Sequence, residues 1–172
     1  MKQVTQIENK LEGAFKDFPK IPKSGRDSIV QIMPWIALIF GVLQVLVAWG
    51  VWGIARTADR LTDVVNTYAA FYTAERVHLS AFDRSAIYLG ALVLLGSGII
   101  GIMAYKPLVA KERRGWDLLF LASLVNVAYS VVAIFINGRG FGSFIMGLIG
   151  SAIGFYLLFQ IKGAYTAKSA AK

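Results

Sequence analysis

The chain has 172 residues, 56% of them hydrophobic, and 18 Lys and Arg against 10 Asp and Glu give a net charge of +8. With no cysteine and a single histidine, His78, disulfides, thiolate catalysis, iron–sulfur ligation, bis-histidine haem and His-rich metal sites are excluded. The charges are also segregated, because residues 28–55, 85–105, 118–137 and 140–161 contain no Asp, Glu, Lys or Arg at all.

Each of those four runs meets the length of about 20 residues that crosses a hydrocarbon core. The expected fold is an all-α integral membrane protein, an antiparallel four-transmembrane-helix bundle with a short N-terminal amphipathic helix. Residues 1–27 form a leading segment, 28–162 the membrane domain and 163–172 a basic tail. In such a protein the excess of Lys and Arg reports orientation and not nucleic-acid binding.

The first stretch, "VTQIENKLEGAFKDF", places Val4, Ile7, Leu11, Ala14, Phe15 and Phe18 along one helical stripe. Thr5 followed by Glu8 reads as a capping box, and "FPKIPK" ends the helix. Three uses fit this stripe: lying on a membrane leaflet with Phe15 and Phe18 inserted, docking on a partner, or tucking against the protein's own helices. The first span follows, with Pro34 expected near its start. A secretory signal is the competing account of this run, but the run is about twice an ordinary h-region.

Trp35 precedes Trp52 by 17 residues, and Tyr88 precedes Tyr105 by the same interval. At 1.5 Å per residue that is about 26 Å, suited to rings seated at the two interfaces of a bilayer. Between them, the connection 56–84 carries Leu61, Val64, Val65, Tyr68 and Tyr72 on one helical face, so the first helix either continues outward or turns along the outer surface. Ser80 and Asp83 read as the cap of the second span, and His78 is expected to be a solvated loop residue.

The second connection, "KPLVAKERRGW", is short and basic, with Pro107 expected to stop the second helix. Lys106, Lys111, Arg113 and Arg114 are candidate contacts for lipid headgroups, although topology alone accounts for the cluster. Grouping these with Lys2, Lys10, Lys16, Lys20, Lys23 and Arg26 before the first span, and Lys162, Lys168 and Lys172 after the last, puts most of the basic charge on one side. Only Arg56, Arg60, Arg76, Arg84 and Arg139 fall opposite. Lys and Arg accumulate on the cytoplasmic face, so both termini are expected to be cytoplasmic, in the cytoplasmic (inner) membrane.

Within the spans, small residues recur at three- and four-residue spacing: Gly90, Ser97 and Gly101 in the second, and Gly147, Gly150, Ser151 and Gly154 in the fourth. Such spacing marks helix–helix contact faces in lipid, where the hydrophobic effect no longer drives association. Gln44 and Asn126 lie near mid-span, and an unpaired amide there is costly, so a polar cluster of Gln44, Asn126, Tyr129 and Ser130 is expected.

No HExxH, Gly-x-Ser-x-Gly or P-loop motif appears, and no charged side chain lies inside a span to act as an ion or proton relay. The expectation is a small non-enzymatic membrane protein without a cofactor or metal, acting as an accessory or scaffolding subunit through helix packing and its basic segments. Its partners would be the lipid bilayer, anionic headgroups, and a homo-oligomer or another membrane protein. The alternative is an oligomeric channel or transporter for a small neutral solute, lined by Gln44, Asn126 and Ser130. In layout the chain resembles small four-span proteins of the bacterial inner membrane.

Overall fold

The computed structural model describes residues 2–71, 81–133 and 141–166, and every element among them is an α-helix: α1 (Lys2–Ala14), α2 (Lys23–Phe71), α3 (Ala81–Val109), α4 (Arg113–Ala133) and α5 (Phe141–Thr166). Three of these, α2, α3 and α5, contain stretches long and apolar enough to cross a membrane. The α4 helix carries Arg113, Arg114 and Asp117 in its first turns and is less uniformly apolar. His78, Tyr72, Ser80 and Arg139 lie outside the described residues.

The helices pack in chain order, α2 on α3, α3 on α4 and α4 on α5, with a lighter contact between α2 and α5. Aromatic pairs fix the direction of the first two. The Trp35 ring meets Tyr105 edge-on with centroids 5.3 Å apart, and Trp52 meets Tyr88 at 5.1 Å. Advancing along α2 therefore means retreating along α3, which is antiparallel packing. The same inversion relates α3 to α4, where Tyr129 reaches Ala86 and Gly115 lies against Leu108. It relates α4 to α5 as well, where Trp116 meets Leu158 and Phe120 meets Phe155.

Three boundaries differ from the sequence reading. The first long helix begins at Lys23, not residue 28, which puts Pro34 in its interior. Proline has no N–H, so the carbonyl of Val30 lacks its ordinary donor four residues on. Helix continuity across this gap is held by packing, since Val30, Met33 and Ala37 are all buried. At the other end α2 runs unbroken to Phe71; 49 residues at 1.5 Å give about 74 Å, far more than an apolar core requires.

Pro107 likewise lies inside α3, which ends two residues later. The stop is made by backbone geometry instead. Glu112 N–H donates to the Pro107 carbonyl at 2.8 Å and Lys111 N–H to that of Leu108 at 3.0 Å, the paired bonds of a Schellman motif. Lys111 takes the left-handed conformation (φ 55°) that glycine normally supplies there. The third difference is in α1, which is already helical at Lys2, so Thr5 lies inside the helix and does not cap it.

The core is concentrated at one end. Val30, Met33, Ala104, Leu108, Trp116, Phe120, Phe155, Leu158, Ile161 and Tyr165 form a single buried cluster, against which Leu11 and Phe15 of the N-terminal segment pack. Towards the opposite end α2 turns large apolar side chains outward, among them Leu46, Trp49 (83% exposed) and Ile54.

Candidate functional site

Two places bring polar or charged chemistry together. The first is the α2–α3–α4 crossing. Here Gly41, Gly98 and Gly101 allow the backbones of α2 and α3 nearly to touch. A Cβ at Gly41 would lie 2.8 Å from the Gly98 carbonyl oxygen, and one at Gly98 would lie 2.7 Å from that of Gly41. A Cβ at Gly101 would stand 3.0 Å from the Ala37 carbonyl. Gly90 plays the corresponding part for α4, because any side chain there would overlap the Tyr129 hydroxyl.

The polar residues of this region find partners mostly on their own helix. Asn126 Nδ2 donates to the Ala122 carbonyl at 2.9 Å and Ser130 Oγ to that of Val127 at 2.7 Å. Tyr129 reaches across, donating to the Ala86 carbonyl of α3 at 3.5 Å. Gln44 is half-buried on α2, its Cβ beside Gly98. Ser97 is buried with no acceptor or donor for its hydroxyl among the described residues. The amide pairing expected between Gln44 and Asn126 is thus replaced, on the Asn126 side, by a bond to its own backbone.

In α5 the small residues stand differently. A Cβ on Gly150 or Gly154 would meet nothing within 4 Å, and Ser151 is half-buried. The side chain position of Gly147 lies outside the described residues. Within one chain, then, Gly90, Gly98 and Gly101 of α3 are close-contact points while Gly150 and Gly154 of α5 face open space. Gly41 and Gly98 were not singled out by sequence reasoning. Their signal was present as two glycines in facing spans, but only the register of α2 on α3 pairs them.

The second place is the end where α1 docks. Glu8, buried to 7% exposure, accepts from Arg113 Nη2 at 2.5 Å and from Lys162 Nζ at 2.8 Å. Glu12 pairs with Lys162 as well, and Asp117 accepts from Arg113 Nε at 2.7 Å. Burial pushes the Glu8 carboxyl up, but the hydrogen bonds from Lys162 and Arg113, with their charges, reverse this and hold it below its ordinary 4.5. Burial also works against the Arg113 cation, and its bonds to Glu8 and Asp117 again win, raising its pKa.

Beneath these charges sits Trp116, fully buried. Its indole N–H donates to the Leu158 carbonyl at 2.8 Å, it stacks on Phe120 at 5.1 Å, and the Arg113 guanidinium lies 4.5 Å over its ring. The segment after α1 completes the closure: Tyr156 donates its hydroxyl to the Pro19 carbonyl at 2.6 Å, and Gln160 Oε1 accepts from Ile21 N–H at 3.2 Å. Phe15 packs on Phe159 at 5.8 Å. Of the N-terminal stripe, Leu11 and Phe15 tuck against the protein's own helices, while Val4, Ile7 and Phe18 stay exposed.

Among the basic residues of the second connection, Arg113 is therefore committed to Glu8 and Asp117. Lys106, Lys111 and Arg114 are exposed, with Lys106 and Arg114 lining a shallow recess beside Pro107 and Leu118. Among the described residues there is no cluster of His, Asp or Glu that could hold a metal ion. The chain matches no protein-family model, no curated protein and no solved structure.

Proposed function

We propose that this chain is an integral membrane protein with four spans, in which α4 crosses beside α2, α3 and α5, and that it acts by helix packing and without catalysis. The outward-facing apolar surface of α2 carries this reading. Phe40, Leu46, Trp49 and Ile54 are each more than half exposed, a continuous surface that water would penalise and lipid would cover. Trp35–Tyr105 and Trp52–Tyr88 then seat two aromatic pairs at the two interfaces, and the basic end carrying α1 faces the cytoplasm. The α4 helix completes the count because its antiparallel packing between α3 and α5 gives it the same depth.

The scaffolding role is supported by what α2 does after Trp52. The helix continues for 19 residues, about 28 Å, beyond any apolar core. There Leu61, Val64 and Tyr68 remain exposed, spaced three and four apart, and extend a seven-residue series through Val47 and Ile54. A seven-residue apolar repeat seeks another helix with the same repeat. A second copy inserted in the same membrane presents its own α2 parallel to the first, so the partner is another copy of this chain.

The cysteine-free sequence makes the test direct. A Leu61→Cys variant in native membranes should cross-link to a dimer, whereas Asp63→Cys, on the far side of the repeat, should not. Equal cross-linking at both positions, or none at Leu61, would contradict the parallel dimer.

A further inference from the structure

The contact between the N-terminal segment and α5 leaves a recess of about 300 Å³, lined by Lys16, Lys20 and Arg26 together with Phe15, Phe18 and Phe159. Its one carboxylate, Glu12, is already paired with Lys162. Lys16 and Lys20 have no ion-pair partner among the described residues, and the Nε of Arg26 is buried with no acceptor. A cationic donor withdrawn from water and left unbonded is unfavourable, and an anionic acceptor beside it removes the penalty. A guanidinium flanked by lysines suits a phosphate, whose oxygens accept several such bonds.

The aromatic wall narrows the choice of anion. Phe15 and Phe18 pack together at 5.4 Å, and Phe159 lies 5.8 Å from Trp116. A free phosphate gains nothing from three phenyl rings, whereas an acyl or glycerol moiety does. Trp116 lies in the first turn of α4, where Gly115 abuts Leu108 of α3, three residues past Tyr105 and its partner Trp35. That places the recess at the level of the aromatic pair where, on the membrane reading above, headgroups begin.

We propose that this recess binds the phosphate of an anionic phospholipid, its glycerol end against Phe15, Phe18 and Phe159. The inference rests on the membrane reading. The shared chemistry is a phosphate ester, and a soluble ester is the competing source. The test is native mass spectrometry of the full chain in mild detergent with dioleoyl phosphatidylglycerol, dioleoyl phosphatidylcholine or glycerol 3-phosphate.

Wild type should retain phosphatidylglycerol over phosphatidylcholine. R26Q should lower that retention about tenfold, the weight of one charge-assisted hydrogen bond. K16Q/K20Q, which alters only exposed lysines, should do the same with unchanged elution and helical signal. K106Q/R114Q, at the neighbouring recess, should retain the lipid as wild type does.

Equal retention of the two lipids, loss only in K106Q/R114Q, or displacement of phosphatidylglycerol by equimolar glycerol 3-phosphate would each overturn the assignment. Recovery of the chain in a detergent-free soluble fraction would instead defeat the membrane reading, and the glycerol 3-phosphate arm would still report on the recess.

Discussion

Glycines with the same spacing do opposite work in this chain. At Gly41 the two nearest atoms a Cβ would meet are backbone, the Gly98 carbonyl oxygen at 2.8 Å and the Ile102 nitrogen at 2.9 Å, and backbone cannot rotate away. Gly41→Ala should therefore force α2 and α3 apart and cost about 1–3 kcal/mol, more than the roughly 1 kcal/mol regained from helix propensity. Gly150→Ala should gain that propensity without the clash, since the site is open. Thermal denaturation followed by fluorescence-detected sizing in detergent should show the first variant less stable and the second equal or better. A destabilised Gly150→Ala would mean that an unseen partner covers α5.

At Trp116 a graded truncation is expected. Trp116→Phe removes the donor to Leu158 together with part of the buried ring and should cost about 1–3 kcal/mol, while Trp116→Ala opens the centre of the core and should cost about 3–5 kcal/mol. The same assay orders them.

Residue by residue, sequence pattern located the small faces but not their occupants. Gly101 and Gly90 were recognisable as contact points. Nothing in the spacing of Gly150 and Gly154 says that their face is open, because occupancy depends on how neighbouring helices are rotated. Asn126 illustrates the same limit: its need for a partner was legible, but its own backbone four residues away satisfies it.

The docking of α1 is the element whose behaviour depends most on charge. Glu8 titrates below its ordinary value when folded, so its contribution is present above about pH 4.5 and is lost as the pH falls through the lowered value. Protection of residues 2–14 against hydrogen exchange, taken relative to the intrinsic rate at each pH, should be high at neutral pH and fall as the pH drops below about 4.5. Glu8→Gln should show the faster exchange already at neutral pH, by about 5–30-fold, as expected for 1–2 kcal/mol. Unchanged exchange in that variant would mean that Phe15 and Tyr156 hold α1 by themselves.

The stripe Leu11–Phe15–Phe18 and the basic 111–114 cluster were both visible in the sequence. Their meeting was not, since Glu8 and Lys162 are 154 positions apart and only the antiparallel return of α5 brings them together. Helix ends were misread at the prolines, Pro34 being read as near a start and Pro107 as a stop. Packing carries α2 through Pro34, and the Lys111 turn, not Pro107, closes α3.

Among the described residues, burial follows one axis. The α1 end has a closed aromatic core, ion pairs and a docked helix. Towards the other end α2 leaves Trp49, Ile54, Leu61 and Tyr68 exposed. The helical class and the long apolar segments were written into the charge-free runs, each long enough to cross a hydrocarbon core. The equal spacing of Trp35–Trp52 and Tyr88–Tyr105 went further, and the structure pairs these residues ring to ring. The 74 Å length of α2 was less legible, since its outer half is amphipathic and reads equally well as a separate surface helix.

The most direct measurement is single-cysteine labelling by an impermeant maleimide in sealed vesicles of known orientation. Four spans predict that cysteines at positions 10, 111 and 168 react from the cytoplasmic side only, and those at 63 and 139 from the opposite side only. Reaction of 111 and 139 from the same side would remove α4 from the membrane and contradict the account.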